Sequence, residues 1–187
     1  MQMSDPTPTS AEIGQEASPS SGLPYRIAVL CYLRDAQGRL LMLHRSKAPN
    51  KGRYSPIGGK LEVGEGEGPH ECAQREIQEE AGLDIATEDI EFIGMVSEKG
   101  YEDAGHWLLF CFDVTRVINH DELPTYDFEE GTLEWVEPDD IESLNIPETD
   151  RQVLWPLVRG RKPGGIFTVH IDCSTDPMTW TIHASGS

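Results

Sequence analysis

Between Gly58 and Leu83 the chain reads GGKLEVGEGEGPHECAQREIQEEAGL, with seven glutamates in one stretch. The second half predicts a helix over PHECAQREIQEEAG. Gly68 can cap it, Pro69 suits the first helical position, where no N–H is needed, and Gly82 can end it. Glu71 falls in the first turn, where the helix dipole favours negative charge. Residues three and four apart share a helix face, so Glu76, Glu79 and Glu80 converge on one patch. Cys72, Ala73, Ile77 and Ala81 make a narrow apolar stripe on the other side. Converging carboxylates repel unless something offsets the repulsion. Three of them are hard oxygen ligands of the kind Mg²⁺ or Mn²⁺ prefers. A solvated glutamate face has the same spacing, so spacing alone leaves both readings open.

The surrounding residues add to the helix. The stretch resembles the Nudix box, G-x5-E-x7-R-E-U-x-E-E-x-G-U with U aliphatic. Glu67, seven residues, then Arg75, Glu76, Ile77, Gln78, Glu79, Glu80, Ala81, Gly82 and Leu83 match without a gap. The first half departs, because seven residues separate Gly59 from Glu67. Glu65 would satisfy the five-residue spacing of the box but would leave nine residues before Arg75. Glu67 is preferred, since the extra residues then fall in the loop EVGE. An insertion in the helix would rotate Glu76 by roughly 200° relative to what precedes it. Ile57 stands where the family commonly has proline. Glu62 fits the frequent GGxxE form.

The resemblance implies an α/β/α sandwich with a mixed β-sheet, an α/β (α+β) fold. It also implies hydrolysis of a nucleoside diphosphate linked to another group, with Mg²⁺ as cofactor and Mn²⁺ as its substitute. By the match, Glu76, Glu79 and Glu80 would hold the metal. Gly59 would offer its carbonyl, and Glu67 would be an outer ligand or organise the site. Glu79 and Arg75 count as catalytic, Arg75 by orienting the cluster through ion pairs. The base that takes the proton of water comes, in some members, from a loop glutamate outside the box. Glu130 in DFEEGTLEWV is favoured over Glu129, with Glu98, Glu102 and Asp103 as rivals. The leading expectation is a nucleoside triphosphate pyrophosphohydrolase. Hydrolysis of ADP-ribose, a nucleotide sugar or a dinucleoside polyphosphate is the alternative, as is a non-catalytic nucleotide-binding module.

The rest of the chain accommodates such a domain. YRIAVLCYLRD and LLMLHRS predict a hairpin, IEFIGMVSEKG and HWLLFCFDVTRV two further strands, and TLEWV another. ETDRQVLWPLVRG predicts a helix bent or shortened by Pro156. IFTVHIDC and MTWTIHAS form an extra C-terminal hairpin, which can pack on the core or on a second copy of the chain, so a homodimer stays open. Trp135 and Trp155 are expected in the core. Tyr54 and Tyr101 are candidates to stack on a base, and Arg45 and Lys47 to meet phosphate. Residues 1–24, rich in Ser, Thr and Pro, read as a disordered tail, and 25–187 as one domain with the box at 59–83. The formal net charge of −18 repels nucleic-acid backbones and anionic membranes, so neither is an expected partner. Four scattered cysteines without paired spacing, and no signal-like or membrane-spanning run, point to a cytoplasmic protein.

Overall fold

The unbroken apolar run IAVLCYL within YRIAVLCYLR lets strand β1, Tyr25–Arg34, bury both faces. Val29, Cys31 and Leu33 join one apolar cluster, while Ala28 and Tyr32 join another on the opposite face. A strand covered on both sides belongs in the middle of a sheet between two layers. The protein, described here from a computed structural model, is defined over residues 25–47, 50–101 and 105–187. The tail expected over 1–24 lies outside the described residues, as do Glu102 and Asp103.

Strand β2, Leu40–Arg45, returns antiparallel to β1, with Arg34 opposite Leu40. A short β3, Tyr54–Pro56, pairs with β2. The chain then lies along β1. Val29 N–H donates to the Gly59 carbonyl at 2.9 Å, and Leu61 N–H donates to the Ile27 carbonyl at 3.0 Å. Helix α1, Pro69–Ala81, follows. Its apolar stripe is buried: Cys72, Ala73 and Ile77 are fully covered against the Val29–Cys31–Leu33 face. Burying a side chain such as Ile77 stabilises by about 1.5–3 kcal/mol.

Strands β4, Ile90–Lys99, and β5, His106–Val117, are antiparallel to each other, and β5 lies parallel to β1. A two-residue β6, Asp127–Phe128, and β7, Gly131–Val136, extend the sheet beyond β2. Helix α2, Trp155–Gly160, covers the second face with Trp155, Leu157 and Val158. A wider π-wound turn, Asp150–Leu154, leads into it. Pro156 has no N–H to close the regular ladder there, so the expected shortening takes this form. Strands β8, Phe167–Asp172, and β9, Thr179–Ser185, make the C-terminal hairpin. β8 runs parallel to β4.

The strand order is β6-β7-β2-β1-β5-β4-β8-β9, with β3 off β2. The expected mixed sheet between helical layers is therefore the observed one. The C-terminal hairpin continues this sheet, and all of β9 is exposed along its edge. Trp135 departs from expectation. It is only partly buried, and it stacks on His120 at 4.9 Å while its indole N–H donates to the Tyr126 hydroxyl at 3.2 Å. Its place near the end of β7 leaves it at the margin of the helical layer. No helix among the described residues is long and apolar enough to cross a membrane.

Candidate active site

The ends of α1 set its rotation. Gly68 N–H donates to the Glu71 carboxylate at 2.8 Å, Pro69 opens the helix, and Gly82 closes it in the left-handed region at φ 69°. With the stripe of Cys72 and Ile77 facing the sheet, Glu76 and Glu80 are carried down its flank, while Glu79 stays exposed. Arg75 gathers the acids around it. Its Nε and Nη2 hold the two oxygens of Glu67 at 2.7 and 3.0 Å, and its Nη1 reaches Glu76 at 2.8 Å and Glu79 at 3.1 Å. Nη2 also donates to the Lys60 carbonyl at 3.1 Å. The fork geometry of a guanidinium permits this many-sided grip. Arg75 holds the Glu67 carboxyl below the usual carboxylate range.

Glu67, not Glu65, takes the Arg75 fork. Residues 62–67 turn back on themselves, with Glu65 N–H on the Glu62 carbonyl at 3.0 Å and Glu62 N–H on the Glu67 carboxylate at 2.7 Å. The extra residues of the loop are absorbed in that turn, ahead of the helix.

Gly59 explains the close approach of the loop to α1. A β-carbon there would collide with the Glu76 carboxylate. One residue earlier, Gly58 N–H donates to Glu80 at 2.9 Å across 22 positions of sequence. Burial pushes the Glu80 carboxyl up to about 8, although the Gly58 N–H pulls the other way. Burial also raises Glu76, against the pull of Arg75.

A second cation stands across from Arg75. Arg45, at the end of β2, holds Glu130 at 3.1 Å and lies 3.9 Å from Glu80. Glu130 shares the lining of the adjoining cleft with Glu76. Glu129 is drawn outward to Lys47 and is largely exposed. Glu98 is buried and lines the adjoining cleft. Arg45 and Lys47, read from sequence as phosphate ligands, are occupied by these carboxylates.

The cleft beside the cluster encloses about 390 Å³. Gly59, Glu76, Arg45 and Glu130 line it, and so do Trp107, Ser55, Thr149 and Asp150. The Ser55 hydroxyl and the Trp107 indole N–H are buried with no hydrogen-bond partner among the described residues. Asp150 is enclosed by protein yet keeps part of its surface open to the cleft, and burial pushes its carboxyl up to about 7. Ser55, Thr149 and Asp150 were not legible as site residues. Tyr101 lines the cleft, whereas Tyr54 stacks on His44 at 4.5 Å and bonds Glu134 instead.

The donor set suits a hard divalent cation: carboxylates of Glu76, Glu79 and Glu80, with the Gly59 carbonyl beside them. Among the described residues no three acidic, His or Cys side chains already stand in chelating arrangement. Arg75 occupies Glu76 and Glu79, and Gly58 occupies one oxygen of Glu80. The exposed Glu79 side chain has room to swing toward its neighbours.

Comparison with known proteins bears on this geometry. A family model described as the NUDIX domain matches residues 24–155. The uncharacterized Nudix hydrolase YvcI of Bacillus subtilis (strain 168) is 25% identical over 124 residues, 66% of this chain and 73% of that one. The mutator MutT protein from Bacillus halodurans superposes with TM-score 0.67 at 22% identity, over 84% of this chain and 97% of that one. The NUDIX domain of Shewanella oneidensis NrtR, solved in complex with ADP ribose, superposes with TM-score 0.62 at 17% identity, over 78% of this chain and 93% of that one.

Proposed function

The chain belongs to the Nudix family, as a pyrophosphohydrolase, and on that premise we propose that it hydrolyses nucleoside triphosphates to the monophosphate and pyrophosphate with Mg²⁺. One observation carries this reading. The Arg75-gathered glutamates border a walled cleft, and its lining holds buried polar groups without hydrogen-bond partners among the described residues. Buried donors and acceptors are costly to leave unmatched, and the edge of a nucleobase would match Ser55 and Trp107.

Glu76, Glu79, Glu80 and the Gly59 carbonyl would hold the metal. When bound, Mg²⁺ offsets the charge of the phosphates and of the glutamates together. The residues supply the rest. Glu130 takes a proton from water as the oxygen attacks phosphorus; the P–O anhydride bond breaks and pyrophosphate leaves with its electron pair. Arg75 holds Glu67, Glu76 and Glu79 around one guanidinium and offsets their mutual repulsion.

A second reading is hydrolysis of ADP-ribose, which the likeness to the NrtR domain favours at the level of fold. A panel of ribo- and deoxyribonucleoside triphosphates, ADP-ribose and nucleotide sugars, assayed with Mg²⁺ and with products identified, tests both. Release of pyrophosphate from triphosphates supports the first reading. Turnover of ADP-ribose alone overturns it.

A further inference from the structure

The two adjacent glutamates of the β6–β7 turn take different partners, 82 and 85 positions away in sequence. Arg45 Nη2 holds the Glu130 carboxylate at 3.1 Å. Two residues on, Lys47 takes the Glu129 carboxylate. Between them, Ser46 N–H donates to the Glu130 carbonyl at 2.7 Å and its hydroxyl donates to the Glu129 carbonyl at 3.2 Å. The run Arg45-Ser46-Lys47 thus grips the turn at four points, two on backbone and two on side chains. Backbone register is held by Arg45 opposite Gly131 in the β2–β7 pairing.

The two cations differ in setting. The Arg45 side chain is 14% exposed and also lies 3.9 Å from Glu80, which is 4% exposed at its side chain. It therefore bridges the helix cluster and the turn. The Lys47 side chain is 49% exposed and its partner Glu129 87% exposed, so that pair sits in water. A planar guanidinium can span two carboxylates at fixed angles, whereas an ammonium acts as a point charge.

We propose that Arg45 is a positioning residue that sorts the two glutamates, drawing Glu130 onto the α1 cluster while Lys47 holds Glu129 off it. The inference rests on Glu130 serving as the base in the hydrolysis proposed above. Arg45 acts through Glu130 and does not itself meet the substrate phosphates. With Arg45 removed, the carboxylate of Glu130 loses its tie to the Glu80 side and wanders over the mouth of the cleft. The proton of water is then accepted less often, while substrate and metal bind as before.

A double-mutant cycle on the full chain tests this. Arg45→Ala is expected to lower kcat on the best triphosphate by about 10–100-fold, within what one misplaced base costs, with KM and Mn²⁺ affinity by calorimetry each within threefold of the parent. Glu130→Gln is expected to lower kcat at least as far, and Arg45→Ala added to it to lower kcat no further. Glu129→Gln leaves kcat unchanged. Arg45→Lys, which keeps charge and loses the fork, falls between and guards against a folding defect, which thermal melting monitors. A raised KM at unchanged kcat in Arg45→Ala overturns the proposal in favour of phosphate binding. Additive losses in the double variant overturn the link to Glu130 while leaving the base in place. Full activity in Glu130→Gln removes the base itself, and the sorting role with it.

Discussion

Glu80 turns one carboxylate oxygen to the backbone N–H of Gly58 at 2.9 Å, joining the last turn of α1 to the loop that runs along β1. Through this bond the glycine pair and the glutamate helix are one unit, and the approach is close enough that Gly59 has no room for a β-carbon. The consequences for chemistry and stability follow from that contact.

Gly59→Ala places a methyl group where the Glu76 carboxylate lies. The clash is with the end of a flexible side chain that can turn away, so the stability cost sits at the low end of the range of about 1–3 kcal/mol that overpacking brings. The expected outcome is a lower midpoint in urea unfolding together with weaker Mn²⁺ binding, because Glu76 must move. Gly64→Ala, with open space around it, serves as control and changes neither.

Arg75→Ala leaves Glu67, Glu76 and Glu79 without their shared partner. Breaking a partly buried charge network costs about 1–3 kcal/mol. Thermal melting in the absence of metal is expected to show that loss. Mg²⁺ recovers part of it, since a bound cation also relieves the repulsion of Glu76 and Glu79.

Asp35 anchors the turn from β1 to β2. Burial pulls its carboxyl upward, but hydrogen bonds from His120, Arg39 and Gln37 outweigh it and hold it below the usual range. A depressed folded pKa contributes stability that is present above the unfolded value, about 3.9. That stability is lost as pH falls through the folded value. Asp35→Asn is therefore expected to destabilise by about 1–3 kcal/mol at pH 7. Its deficit should shrink when unfolding is measured below pH 4.

Asp150 has the opposite sign. Burial raises its carboxyl to about 7, so the folded form retains a proton that the unfolded chain gives up near 3.9. Stability contributed by this group falls as pH rises between about 4 and 7. Asp150→Asn is expected to flatten that decline in chemical unfolding from pH 5 to pH 8. A decline just as steep in the variant contradicts the assignment.

What was legible in sequence obeys short-range rules. Gly68, Pro69 and Gly82 bound α1 because caps depend on neighbours a few residues away. Arg75 and Glu67 met because seven intervening residues place Glu67 just ahead of the N-cap Gly68 and Arg75 about two turns into α1. The apolar strand runs of β1 and β5, interspersed with helix signals, pointed to a mixed sheet covered by helices. The inner end of the cleft was not legible. Ser55 sits beside Pro56 in what reads as a short extended piece broken by the proline, and Asp150 lies in a turn wound differently from the helix that its sequence suggests. Only the folding of β3 and that turn around β1 brings them together. The orientation of Glu129 and Glu130 was hidden for the same reason, since their partners are 82 and 85 positions distant.

The claim that most else depends on is that the α1 glutamates receive a divalent cation beside the nucleotide. Anomalous diffraction from crystals holding Mn²⁺ and a non-hydrolysable nucleoside triphosphate measures it directly. The account predicts a manganese peak among the carboxylates of Glu76, Glu79 and Glu80, near the Gly59 carbonyl. A fully occupied nucleotide with no manganese at those residues contradicts it.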